Sequence, residues 1–301
     1  MGAKLSWSAD GKDWPNREAS RFVNAAGYRW HVQVMGDGPV ALLAHGTGAA
    51  THSWRTLMPL LAKHFTVVAP DLPGHGFTEL PSAHRLSLVS MARDLAMLCN
   101  AIDMKPQLAI GHSAGAAILA RMSLDRLIEP KLIVSLNGAF LPFGGVAALV
   151  LSPLAKALTF NPFVPWMFAR RGSDPAAVHR LIAGTGSSID ATGERFYGRL
   201  VSSPAHVAAA LQMMANWDLR PLVRDLPRLQ SDLVLIAASN DRAIPPEMAR
   251  RVAELLPKAR LETVAGHGHL AHEEASERIA EIIVRAATAS GVIAMQHEMS
   301  I

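Results

Sequence analysis

Residues 107–117 hold the side chain best placed for covalent chemistry. A short apolar run, Leu108 to Ile110, leads into Gly111-His112-Ser113-Ala114-Gly115, and a helix-forming run follows as far as Leu124. A serine flanked this way, at a strand–turn–helix junction, has the G-x-S-x-G pattern that lifts a hydroxyl clear of a strand's carboxyl end. The turn is tight, so its neighbours must be small. Gly111 and Gly115 supply the room and Ala114 adds no bulk. A serine hydroxyl is a weak nucleophile until a base takes its proton, and an acid must hold that base in the right tautomer.

For this pattern the expected chain order is Ser, then Asp or Glu, then His, each beyond a strand. Asp241 fits the acid: it stands in Ser239-Asn240-Asp241-Arg242, just after the apolar run Leu233–Ala237. The base lies in Gly266-His267-Gly268-His269-Leu270-Ala271-His272, after Leu261–Val264, where three histidines compete. Their His-x-His-x-x-His spacing also resembles a metal cluster, but no matching ligand set stands elsewhere, so no metal is expected. A tetrahedral intermediate needs backbone N–H donors for its oxyanion. Ala114, after the serine, is one; Thr47, in His45-Gly46-Thr47-Gly48 after Val40–Ala44, is the other. The Gly-rich turn Asp71-Leu72-Pro73-Gly74-His75-Gly76 lacks phosphate- or dinucleotide-binding spacing, so no cofactor is expected.

The elements that must hold these residues alternate. Strand signals fall at Arg21–Ala25, Tyr28–Met35, Val40–Ala44, Thr66–Ala69, Leu108–Ile110, Leu132–Leu136, Leu233–Ala237 and Leu261–Val264. Helical patterns fall at Ser53–Lys63, Leu86–Ile102, Ala114–Leu124, Pro246–Leu256 and Ala271–Ala287. Short apolar strands between helices indicate a parallel sheet covered on both faces. From Phe140 to Leu229 the alternation stops: eight prolines break up helical runs, the texture of an inserted helical cap. The expected organisation is a core over 1–139, a cap over 140–229, core again over 230–289, and a loose tail over 290–301.

With 301 residues, half of them hydrophobic, the chain is long enough for a large core. Its single cysteine, Cys99, lies in an apolar run and reads as a buried thiol; no internal disulfide is possible, which fits a reducing cytoplasm. The N-terminal residues carry no secretory apolar segment, and no stretch approaches a membrane span. Met1-Gly2-Ala3-Lys4-Leu5-Ser6 matches the myristoylation pattern, whose loosely defined positions often match by chance. The net charge of +4 has a location: from Phe140 to Gln230 nine Lys/Arg face five acids, and the remainder balances. That excess reads as a solvated helical surface, or as a cap attracting an acidic ligand. Nucleic acid is not an expected partner, because the cations neither cluster nor interleave with aromatics.

His45-Gly46, Asp71-Leu72-Pro73-Gly74-His75-Gly76, Gly111-His112-Ser113-Ala114-Gly115, Asn240-Asp241 and Gly268-His269 resemble the α/β-hydrolase superfamily in order and spacing over residues 20–287. The resemblance implies an eight-stranded, mostly parallel sheet flanked by helices, with an inserted helical cap. It also selects His269 as the base, because the superfamily commonly has a Glu five positions after that histidine, here Glu274. A narrower resemblance rests on Arg29-Trp30-His31-Val32-Gln33, Ser135-Leu136-Asn137-Gly138-Ala139, Gly184-Thr185-Gly186-Ser187 and His269-Leu270-Ala271-His272-Glu273-Glu274. These look like the magnesium-chelatase accessory hydrolases of bacteriochlorophyll biosynthesis. That implies a role near magnesium insertion, with a tetrapyrrole-like or other apolar small molecule as substrate and chelatase subunits as partners. His45, Gly46, His112, Asn137, Phe140 and Trp166 are read as the substrate-binding set. The alternatives are a non-catalytic porphyrin carrier on the same scaffold, and a carbon–carbon bond hydrolase or general carboxylesterase.

Overall fold

The computed structural model describes residues 4–142, 163–172 and 174–294. Parts of the expected cap (143–162 and 173) and the end of the expected tail (295–301) lie outside the described residues.

The strands form one eight-stranded sheet: β1 (Ser20–Ala25), β2 (Tyr28–Met35), β3 (Val40–Ala44), β4 (Thr66–Pro70), β5 (Leu108–His112), β6 (Leu132–Leu136), β7 (Asp232–Ala238) and β8 (Arg260–Val264). Their spatial order is β1-β2-β4-β3-β5-β6-β7-β8. β2 runs antiparallel to both neighbours, and every pair from β4 to β8 is parallel. The central strands β5 and β6 are buried throughout, as apolar strands covered on both faces must be.

One face packs under α3 (Leu88–Ala101), α4 (Ala114–Leu124) and α10 (Pro246–Leu255), with Leu95, Ile118 and Val252 in a shared cluster. The other packs under α2 (Leu57–Leu61) and α12 (Ser276–Ala289), with Trp54, Leu57, Ile279 and Ile283 joining Ile110 and Val134. Cys99 is buried on the first face, where burial pushes its thiol up to about 12. Between β6 and β7 the described regular elements are helical: α5 (Phe163–Gly172), α6 (Pro175–Gly184), α7 (Ala191–Val201), α8 (Pro204–Ala215) and α9 (Arg220–Asp225). Asp174, Asp190 and Ser203 cap the first turns of α6, α7 and α8 with their side chains.

Two local expectations need correction, and the N-terminus adds structure that none foresaw. The helix expected over Ser53–Lys63 is a 3₁₀ turn, Thr51–Trp54, followed by the short α2. Pro59 has no N–H and its ring would strike the carbonyl four residues back, so an α-helix tolerates it only in its first turn. The helix expected over Ala271–Ala287 is two, α11 (Ala271–Glu274) and α12, parted where Ala275 leaves helical geometry at φ −139°. The N-terminal segment carries structure that periodicity did not reveal: α1 (Trp7–Asp10) and a fully packed Trp14, whose indole N–H donates to Thr51 Oγ1 at 2.9 Å. Beyond α12, Val292 joins the second core cluster.

Candidate active site

Ser113 stands between β5 and α4 at φ 51°, ψ −117°, a conformation that costs free energy for any residue with a side chain. The junction is held from several sides: Ser113 N–H donates to Leu136 O (3.0 Å), and Ala139 N–H donates to Ser113 O (3.0 Å). A side chain at Gly115 would overlap the Ala44 carbonyl, so the small residue is required where α4 crosses β3. Ser113 Oγ makes no hydrogen bond among the described residues.

Asp241 lies in the loop after β7, almost wholly buried. Its Oδ1 accepts from Ala243 N–H and Ile244 N–H, both at 2.8 Å, and its Oδ2 accepts from His269 Nδ1 at 2.8 Å. The carboxylate is thus fixed by two backbone amides, and it leaves Nε2 of His269 as the nitrogen without a hydrogen bond among the described residues. The His269 ring lies 4.6 Å, centroid to centroid, from that of His112, the residue before Ser113. The structure therefore gathers all three expected catalytic residues at the carboxyl ends of β5, β7 and β8. Of the competing histidines, His267 is half-buried in the loop before, while His272 is buried on α11 against the His112 ring (4.3 Å) and the Trp54 ring (4.9 Å).

The loop after β3 passes close to the serine: a Cβ on Gly46 would sit 3.0 Å from Ser113 Cβ and 2.9 Å from His112 Nδ1. The backbone N–H groups of Thr47 and Ala114 have no acceptor among the described residues, as oxyanion donors require. α8 braces this loop. His206 Nε2 donates to Gly48 O at 3.0 Å while its Nδ1 accepts from Gly76 N–H at 3.1 Å, and Thr47 Oγ1 reaches Met213 Sδ at 3.5 Å.

The six residues expected to bind substrate divide differently. His45 is fully buried; its Nδ1 donates to Gly46 O (2.8 Å) and its Nε2 accepts from Leu72 N–H (2.9 Å), which ties the loop after β3 to the loop after β4. His112 Nε2 donates to His269 O at 3.0 Å. Asn137 is buried with both amide atoms bonded to protein, and Phe140 is packed in the first core cluster. These four support the site from behind. Trp166 stands 46 % exposed on α5, with Arg170 over its ring at 5.7 Å.

Sequence reasoning missed a second brace, the turn from Thr185 to Ser188 between α6 and α7. Thr185 O accepts from Arg242 N–H (3.0 Å) and His269 N–H (3.4 Å), and Ser187 Oγ accepts from Leu270 N–H (2.8 Å). Glu274 closes it, its carboxylate accepting from Gly268 N–H and Ser188 N–H, both at 2.9 Å. This is the structural use of the Glu five positions after His269. Gly186 (φ 85°) is required where the turn touches the acid loop, because a Cβ there would overlap the Asn240 carbonyl oxygen. Gly186→Ala is therefore expected to lower kcat by at least about 10-fold, since displacement of either loop misplaces the Asp241–His269 pair. Steady-state kinetics beside a thermal melt check this; unchanged kcat contradicts it.

Charged groups also bridge the helices between β6 and β7 to the rest. Arg55 pairs with Glu273 on α11 and Asp190 at the start of α7, and Tyr197 Oη donates to Glu273 Oε1 at 2.8 Å. Burial pushes the Glu273 carboxyl up to about 7, against the pull of Arg55. Arg195 and Arg199 both pair with Asp13, and Arg199 first, with Arg195, holds that carboxyl well below the usual range. Arg180, Arg220, Arg224 and Arg228 pair with Asp174, Asp218 and Asp225. Six of the segment's nine cations, Arg180, Arg195, Arg199, Arg220, Arg224 and Arg228, are thus held in ion pairs, sharing four carboxylates.

Burial depresses six histidines: His45, His52, His75, His112, His206 (to about 4) and His272 (to about 3). An unfolded histidine takes up its proton near pH 6.5, whereas these stay neutral to lower pH while the protein is folded. Unfolding below pH 6.5 therefore binds protons, and stability falls as pH falls, by about 1.4 kcal/mol per pH unit for each net proton. Glu273, raised above its ordinary value, acts in the opposite sense between about pH 4.5 and 7 and cancels only one of them. Urea unfolding at pH 7.5 and 5.0 is expected to show a steep loss of stability in acid; equal stability at both contradicts the assignment.

The arrangement is that of a hydrolase-fold protein, and the α/β-hydrolase-fold family matches residues 39–276, so the chain belongs to that family. It is similar in particular to the magnesium-chelatase 30 kDa subunit of Rhodobacter capsulatus, 39% identical over 90% of this chain and 95% of that one. It is also similar to 2-hydroxy-6-oxo-2,4-heptadienoate hydrolase of Pseudomonas putida, 27% identical over 84% of this chain and 91% of that one. Among solved structures, an α/β-hydrolase-fold protein from Burkholderia ambifaria superimposes at TM-score 0.74 with 22% identity, covering 89% of this chain and 97% of that one. The epoxide hydrolase CorEH does so at 0.75 with 21% identity, covering 90% and 98%; both establish the fold alone. Among the described residues no helix is long and apolar enough to cross a membrane, and no group of three or more His, Cys, Asp or Glu is placed to hold a metal ion.

Proposed function

We propose that this chain is a serine hydrolase that cleaves an ester or related acyl bond of a small molecule in tetrapyrrole metabolism, at or near the magnesium-chelatase step. The observation that carries the chemistry is the buried Asp241–His269 bond of 2.8 Å, at the same edge of the sheet as Ser113 with its φ of 51°. In this reading His269 Nε2 takes the Ser113 proton as Oγ attacks the carbonyl carbon. The Thr47 and Ala114 N–H groups hold the developing oxyanion. Collapse expels the leaving group, which receives the proton from His269, and water then releases the acyl group by the same route.

The setting in the cell comes from the similarity to the magnesium-chelatase 30 kDa subunit. We extend it to chelatase subunits as partners, to a cytoplasmic location, and to residues 140–229 as the cap that selects substrate. A cavity of about 270 Å³ that reaches the loop after β3 at Gly48, walled by Val178, Leu181, Val207, Ala210 and Leu211, supports an apolar substituent on the substrate. It lies below the roughly 300–1,000 Å³ of pockets that enclose a drug-sized ligand, so it suits a substituent and not a macrocycle. The 27% identity to a ring-cleavage-product hydrolase supports a second reading, carbon–carbon bond hydrolysis by the same three residues.

The test is complementation. In a strain lacking this gene, the wild-type chain restores the tetrapyrrole profile and Ser113→Ala does not. Full rescue by Ser113→Ala would favour a non-catalytic carrier and overturn the proposal. Turnover of p-nitrophenyl esters against a ring-cleavage product separates the two catalytic readings.

A further inference from the structure

We infer that Asn137 is the positioning residue for His269: its side-chain amide stands in for a missing strand residue and fixes the loop that carries the base. The inference rests on the reading of Ser113, His269 and Asp241 given above and goes beyond it. β6 stops at Leu136, whereas its neighbour β7 runs on to Ala238. The next position, Asn137, turns away at φ 48°, the left-handed region that asparagine tolerates better than most residues. Its backbone N–H still donates to Ile236 O at 2.9 Å, the last main-chain link from this position to β7.

The side chain then continues the ladder. Oδ1 accepts from Ala238 N–H at 2.8 Å, and Nδ2 donates to His269 O at 2.9 Å and to Gly268 O at 3.2 Å. A primary amide has the acceptor and donors of a peptide group, with one hydrogen more. All three partners are buried main-chain atoms, which are costly to leave unpaired. Each also belongs to a segment bearing the site. Ala238 precedes the Asp241 loop, Gly268 and His269 carry the base, and Ala139, two residues on, donates to Ser113 O. The side chain thereby ties the acid and base segments together, and the main chain two residues on joins them to the nucleophile. His112 Nε2 adds a second donor to His269 O at 3.0 Å.

Only an amide serves here. Aspartate keeps the Oδ1 acceptor but turns the donor into a second oxygen facing two carbonyl oxygens; alanine loses both. Neither change touches the reacting atoms, so the effect must pass through His269. Asn137→Asp is expected to lower kcat between about 10- and 100-fold with KM changed less than about 3-fold, the cost of misplacing a base by a fraction of an ångström to about 1 Å. The low-field Nδ1–H proton resonance of His269, diagnostic of its bond to Asp241, is expected to shift or broaden in the same variant. In the wild-type protein the Asn137 side-chain amide protons are expected to be strongly protected from exchange with D₂O. That measurement needs no variant to fold and no substrate. An unchanged His269 resonance with kcat within 2-fold, or rapid exchange of the Asn137 amide in the wild type, would overturn the inference. The resonance and exchange readings do not depend on turnover, so they separate failure of this assignment from failure of the proposed hydrolysis.

Discussion

Ser113→Ala is expected to lower kcat for ester hydrolysis by roughly 10⁴- to 10⁶-fold, because the members of such a triad act as a unit and losing the nucleophile removes most of what the unit supplies. Folding is expected to survive. The Ser113 hydroxyl has no hydrogen bond among the described residues, and alanine meets the same backbone strain at φ 51°. The junction is held by main-chain bonds to Leu136 and Ala139, which the substitution leaves in place. Steady-state kinetics with a p-nitrophenyl ester, beside far-ultraviolet circular dichroism, reads both halves. A variant with more than about a tenth of wild-type kcat contradicts the assignment.

Asp241→Asn is expected to lower kcat by about 10⁴-fold while leaving the fold intact. The direction follows from the hydrogen bonds. Oδ1 accepts from two backbone N–H groups, Ala243 and Ile244, so the new amide must keep its oxygen there. Its NH₂ then points at His269 Nδ1, which must become an acceptor. The ring proton moves to Nε2, the nitrogen that has to take the serine proton. The base is thus held in the wrong tautomer by a side chain of unchanged shape. Kinetics paired with a thermal melt tests this; a large drop in melting temperature with little loss of kcat would identify Asp241 as a structural residue instead.

Much of the site was legible in the sequence, because tight backbone geometry limits residue type locally. The elbow requires small residues around Ser113, and Asp241 follows a short apolar strand, so both are found from a few neighbours apiece; His269 stands out among three histidines only through the family resemblance. The parallel strands β3 to β7 were legible for the same reason: burial on both faces makes each largely a continuous apolar run, whereas β8, at the sheet edge, is mostly exposed. What escaped were contacts between distant parts of the chain. Nothing local to Arg55 indicates a pairing with Glu273, 218 residues away, or local to Trp14 a bond to Thr51. Asn137 and His45 are polar residues at strand ends, where substrate contact and support look alike in sequence. They separate only once the atoms facing each side chain are known. The turn at Gly186-Ser187 contributed to the family resemblance without a role, and the structure supplies one, between the Asp241 and His269 loops.

The central claim is that Ser113 is a nucleophile activated by His269 and Asp241, and a fluorophosphonate probe tests it most directly. Intact mass followed by peptide mapping of the folded wild-type protein is expected to show one phosphonyl group per chain, on Ser113. Asp241→Asn is expected to label far more slowly, and Ser113→Ala not at all. A wild-type protein that stays unlabelled while folded, or that carries the adduct elsewhere with Ser113 unmodified, would contradict the account.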